Sequence, residues 1–116
     1  MKYSSLGGSG IRVSEFALGT MNFGRSTDAD DSVRIIHAGL AAGINLIDTA
    51  DVYSCGAAES IVGRALHGRR DGVVLATKFG LPMGEDPNQA GGSARWIKRA
   101  VEDSLRRLRT DHIDLY

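Results

Sequence analysis

The sequence predicts an α/β fold, a parallel sheet covered by helices and preceded by a short β-hairpin, and three observations lead there. Short apolar runs at 16–18, 44–47 and 73–76 alternate with stretches of helical period at 26–43, 57–66 and 93–108. Glycines mark the junctions, at Gly19, Gly43 and Gly68. Strands joined by helices require right-handed crossovers, which set the strands parallel.

Taken in order, Lys2 to Leu6 and Ile11 to Val13 flank Gly7-Gly8-Ser9-Gly10, whose glycines suit a tight reversal with positive φ. Phe16-Ala17-Leu18 is a strand that stops at Gly19 and opens into Gly19-Thr20-Met21-Asn22, a candidate contact surface. The first helix is expected to start near Ser26-Thr27-Asp28, with a hydroxyl as its cap, and to end at Gly43. Val33, Ile36, Leu40 and Ala41 form its apolar face. Strand 44–47 follows. A second helix covers Ala57 to Leu66 with Ala58, Ile61, Val62, Ala65 and Leu66 inward and Gly68 as its stop. After strand 73–78 comes a glycine- and proline-rich connection, Phe79 to Gly92. The third helix runs from about Ser93 to Leu108. Trp96, Ile97, Ala100, Val101, Ser104, Leu105 and Leu108 form its stripe, while Lys98, Arg99, Glu102, Asp103 and Arg106 face water. Ile113 to Tyr116 reads as the beginning of another strand.

A chain of 116 residues suffices for one domain, 1–116, with a modest core. Lysine plus arginine equals aspartate plus glutamate, so no global field recruits nucleic acid or an anionic membrane. No apolar run approaches the roughly 20 residues that cross a bilayer, and the first residues lack the apolar core of a signal peptide. The one cysteine, Cys55, has no internal disulfide partner. A cytoplasmic address is expected. His37, His67 and His112 lack ligand spacing, so no metal site is expected.

The chemistry concentrates in Gly43 to Tyr53, where the apolar run Ile44 to Ile47 leads straight into Asp48 and then to the phenol of Tyr53. Val73 to Lys78 repeats the pattern with an ammonium. A charge at the end of an apolar strand is costly unless paired. Both charges fall at carboxyl ends of strands, the face on which parallel α/β folds build sites. Adjacent strands lie about 4.8 Å apart, so Asp48 and Lys78 are expected to meet, with Tyr53 on the loop beyond. An ammonium near a phenol favours phenolate and lowers its pKa from about 10, which makes a general acid held and tuned by Lys78. The plainer alternative is an ion pair that merely closes the core.

Four blocks together resemble the N-terminal half of an aldo-keto reductase. They are Leu-Gly-Thr-Met-Asn-Phe-Gly (18–24), Leu-Ile-Asp-Thr-Ala-Asp-Val-Tyr (46–53) with Glu59 and Gly63, Leu-Ala-Thr-Lys-Phe-Gly (75–80), and Ser-Leu-Arg-Arg-Leu-Arg-Thr-Asp-His-Ile-Asp-Leu-Tyr (104–116). The resemblance runs over nearly the whole chain. It implies the N-terminal half of a (β/α)8 TIM barrel and NADPH-dependent reduction of a small aldehyde or ketone. It implies that Tyr53 protonates the carbonyl oxygen, Lys78 lowers its pKa and Asp48 orients Lys78. Gly19, Thr20 and Met21, with Asp48, would line the nicotinamide end of NADPH/NADP.

The same resemblance puts the family's fourth catalytic residue, a histidine, just past the strand begun by Ile113 to Tyr116, and the adenosine phosphates in the C-terminal half. His112 precedes that strand and is expected at the opposite end. These 116 residues alone are thus expected to turn over little, and open sheet edges invite self-association or association with a complementary half. Cys55 and Arg109 stand where glycine is usual in the family. A positive φ at Arg109 would cost about 1 kcal/mol.

Overall fold

Two strands, β1 (Tyr3–Ser5) and β2 (Arg12–Ser14), pair antiparallel in the computed structural model, which describes residues 1–116. Gly7 and Gly10 take φ of 54° and 79° in the reversal between them. The hairpin is fastened to the body by Asn45, which no periodicity singles out. Its Oδ1 accepts from Ser14 N at 2.7 Å and its Nδ2 donates to Arg12 O at 3.0 Å.

The strands β3 (Ala17–Gly19), β4 (Leu46–Asp48) and β5 (Val74–Ala76) form a parallel sheet in that order. Gly19 lies beside Asp48, and Asp48 beside Ala76, so the three carboxyl ends finish at one rim. Helix α1 (Ala29–Ala41) joins β3 to β4, α2 (Ala57–Ala65) joins β4 to β5, and α3 (Ala94–Leu108) follows β5. The strand expected at Ile113 to Tyr116 amounts to one parallel bridge, Ala76 to Leu115. Next to it the Asp114 carboxylate, rather than a backbone carbonyl, accepts from Leu75 N at 2.8 Å.

The helix starts differ from expectation in one respect. Asp28, not the hydroxyl of Ser26 or Thr27, caps α1 by accepting from Asp31 N at 2.8 Å. A carboxylate there meets both a free N–H and the positive end of the dipole. Ser93 caps α3 through Trp96 N at 3.1 Å.

The core lies between the sheet and the helices. Ile47 and Leu75 cluster with Ile36 of α1 and with Ile61 and Val62 of α2, and each fully buried aliphatic side chain contributes about 1.5–3 kcal/mol. Of the run 44–47 only Ile47 is fully buried, because its neighbours flank it on the open side of the sheet or before the strand begins. Ala41 is exposed rather than inward, since five residues on from Ile36 it has turned well round the helix. Asp103, expected in water, is half-covered by ion pairs with Arg99, at 3.1 Å, and Arg106.

Candidate active site at the carboxyl rim

Asp48 is the last residue of β4, and Lys78 lies two past the end of β5. Lys78 Nζ donates to Asp48 Oδ1 at 2.7 Å and to Thr49 O at 2.7 Å. The same ammonium sits 5.1 Å from the centroid of the Tyr53 ring. The structure therefore brings together all three side chains that the sequence nominates. The two charged side chains are 47% and 41% exposed, and an ion pair so accessible to water adds about 0–1 kcal/mol. Closing the core does not account for it.

Tyr53 opens a tight turn, Tyr53–Gly56, in which Ser54 and Cys55 take left-handed φ of 50° and 52°. Such backbone persists only when its surroundings hold it. Ser54 Oγ donates to Phe23 O at 2.7 Å, and Arg107 lies so close to Gly56 that a Cβ there would come within 2.8 Å of its Cδ.

Beside the phenol is a cavity of about 160 Å³ walled by Val52, Tyr53, Lys78, Phe79 and Leu81. A larger hollow, about 300 Å³, opens among Tyr3, Gly43, Asn45 and Val73 at the amino ends of β4 and β5, away from these groups. At the rim, Gly19 is exposed with open space where a Cβ would stand, and Met21 is 60% exposed. Thr20 differs: it is fully buried, and both its N–H and its Oγ1 donate to Asp48 O at 3.1 Å. Its hydroxyl ties the loop to β4 instead of facing the rim. Bare backbone at Gly19, the Met21 thioether and a carboxylate suit a flat ring bearing an amide, as a nicotinamide does.

Residues 15–116 match the aldo/keto reductase family. The chain belongs to that family. Over its whole length this aldo/keto reductase sequence is 46% identical to the uncharacterized oxidoreductase YrpG and 43% identical to the aldo-keto reductase YhdN, both of Bacillus subtilis. It spans 39% and 37% of those proteins. The holo form of aldo-keto reductase AKR11C1 from Bacillus halodurans matches the whole chain with a TM-score of 0.91 and 47% identity, over 39% of that structure. The parallel units described above are thus part of an aldo-keto reductase TIM barrel. No helix is long and apolar enough to cross a membrane.

Within this aldo/keto reductase chain, two acids quoted above only as part of the resemblance, Asp51 and Glu59, are buried behind the rim, with contacts that the sequence does not assign. Glu59 is 0% exposed; its Oε1 accepts from Thr77 Oγ1 at 2.6 Å and its Oε2 from Arg107 Nε at 2.6 Å. Its place in the inward stripe of α2, between Ala58 and Ile61, was the signal available. Asp51, also buried, donates its N–H to Lys78 O at 3.1 Å, while its Oδ2 has no partner. Burial, and then the negative charge of Glu59, push its carboxyl above the usual carboxylate range. Burial, then Asp51 and Glu59, likewise push the Tyr116 phenol up to about 12.

Proposed function

We propose that the chain supplies the proton-donating and nicotinamide-facing part of an NADPH-dependent reductase of small aldehydes and ketones. One observation supports this above the rest: an ammonium fixed by Asp48 Oδ1 and Thr49 O beside the Tyr53 ring, at the carboxyl rim of a parallel sheet. NADPH, when bound at this rim, would supply a hydride for the carbonyl carbon. Tyr53 gives its phenolic proton to the carbonyl oxygen as that oxygen gains charge, completing the alcohol. Lys78 stabilises the phenolate left behind, and Asp48 keeps Lys78 aimed at it. Val52, Phe79 and Leu81 offer the substrate an apolar wall beside Tyr53. Gly19 and Met21, with Asp48, face the nicotinamide, while Thr20 holds their loop in place. The exposed free thiol of Cys55 fits a reducing, cytoplasmic setting.

Turnover by these 116 residues alone is expected to be slight, because the relatives extend far beyond the shared span. Steady-state oxidation of NADPH with a reactive aldehyde tests the roles. A small rate that Tyr53→Phe abolishes agrees with them; a rate that Tyr53→Phe leaves untouched rules Tyr53 out as the acid.

A second reading, association through the sheet, is favoured by the exposure of Phe16 (63%) beside β3 and Leu81 (62%) beyond β5, the two outer strands. Light scattering that shows concentration-dependent oligomers supports it, and a monodisperse monomer counts against it.

A further inference from the structure

We infer that Glu59 is a positioning residue, a buried carboxylate that fixes Tyr53 and Lys78 relative to each other from the helix side of the sheet. The inference rests on the reductase reading of the Tyr53–Lys78 pair and deepens it. Regular pairing of β5 ends at Ala76; beyond it the backbone is tied by Thr77 N donating to Leu115 O and by Asp51 N donating to Lys78 O, each at 3.1 Å, and the direction of the Thr77 and Lys78 side chains is set by bonds of their own. Their side chains diverge, Thr77 Oγ1 to Glu59 Oε1 at 2.6 Å and Lys78 Nζ to Asp48 Oδ1 at 2.7 Å. Glu59 thereby grips the residue immediately before Lys78.

It grips the Tyr53 side as well. Glu59 belongs to the first turn of α2, which follows directly on the strained Tyr53–Gly56 turn. Its second oxygen takes Arg107 Nε of α3, and the stem of Arg107 presses on Gly56. Gly63 closes the same interface, with no room for a Cβ: one would stand 2.6 Å from the Leu108 carbonyl carbon. One carboxylate with both oxygens engaged thus links the Lys78 strand end, the Tyr53 turn and α3. A buried ion pair seldom stabilises more than apolar side chains of equal volume, so stability alone does not explain this one. Orientation does: two charge-assisted bonds at fixed angles locate a strand end in a way that apolar packing cannot.

The test compares Thr77→Val, which keeps the shape and loses the donor, with Thr77→Ser, which keeps the hydroxyl. The readout is the Lys78 Hε proton shift by NMR in the folded chain without cofactor, since the Tyr53 ring displaces those protons upfield. Thr77→Val is expected to lose most of that displacement, and Thr77→Ser to retain it. If Thr77→Val does not fold, Arg107→Lys, which keeps the charge but not the Nε contact, is read in the same way. A folded variant lacking the contact whose Lys78 Hε signals match the unaltered chain would overturn the inference, whatever its loss of stability. Because no NADPH is present, that outcome is distinct from failure of the reductase reading, which shows as no cofactor response in the unaltered chain.

Discussion

Lys78 Nζ reaches Asp48 Oδ1 across 2.7 Å between neighbouring strands, in a pair whose side chains remain more than two-fifths open to solvent. Water screens most of its worth to the fold. Asp48→Asn is therefore predicted to change unfolding free energy by under about 1 kcal/mol, read from urea denaturation. The same substitution is expected to release Lys78 from its place beside Tyr53.

The opposite holds for Arg107 and Glu59. Arg107→Ala leaves a fully buried carboxylate without its cation, which is predicted to destabilise the fold by about 3–5 kcal/mol. Arg99→Ala, which breaks an exposed pair on the same helix, is expected to stay within about 0.5–1 kcal/mol. Chemical denaturation of the two variants side by side checks the contrast.

Arg109 ends α3 in the left-handed region with φ of 55°. Arg109→Gly relieves that strain and is predicted to raise stability by about 1 kcal/mol, seen as a higher urea midpoint with an unchanged slope.

Much of this was legible in the sequence, for identifiable reasons. Helices α2 and α3 follow from one-sided apolar periodicity, with Gly68 as the stop of the first and Ser93 as the start of the second. Asp48 and Lys78 stood out because each ends an apolar run. What stayed hidden depends on contacts distant in sequence. Asn45 docks a hairpin more than thirty residues away, and Glu59 meets Arg107 across 48 positions. Nothing local to α3 marks Arg107, whose partner lies on α2. Thr20 looked like a contact residue, but its hydroxyl turns back to the Asp48 carbonyl.

Asp51 predicts a pH dependence. Its folded carboxyl titrates above the ordinary value of 3.8, so between the two values the folded state holds more protons than the unfolded one. Stability from this group is fully present below 3.8 and declines as pH rises through the folded value. Asp51→Asn is expected to remove that decline, gaining on the unaltered chain as pH climbs above 3.8. Denaturation at a series of pH values reads it out.

The central claim, that Asp48, Tyr53 and Lys78 form one proton-donating site facing a nicotinamide, is tested most directly by titrating reduced nicotinamide mononucleotide into isotope-labelled chain. The account predicts saturable NMR shifts at Gly19, Met21, Tyr53 and Lys78, weakened in Asp48→Asn. Shifts confined to the hollow at Tyr3 and Gly43, or none at the rim at saturating ligand, would contradict it.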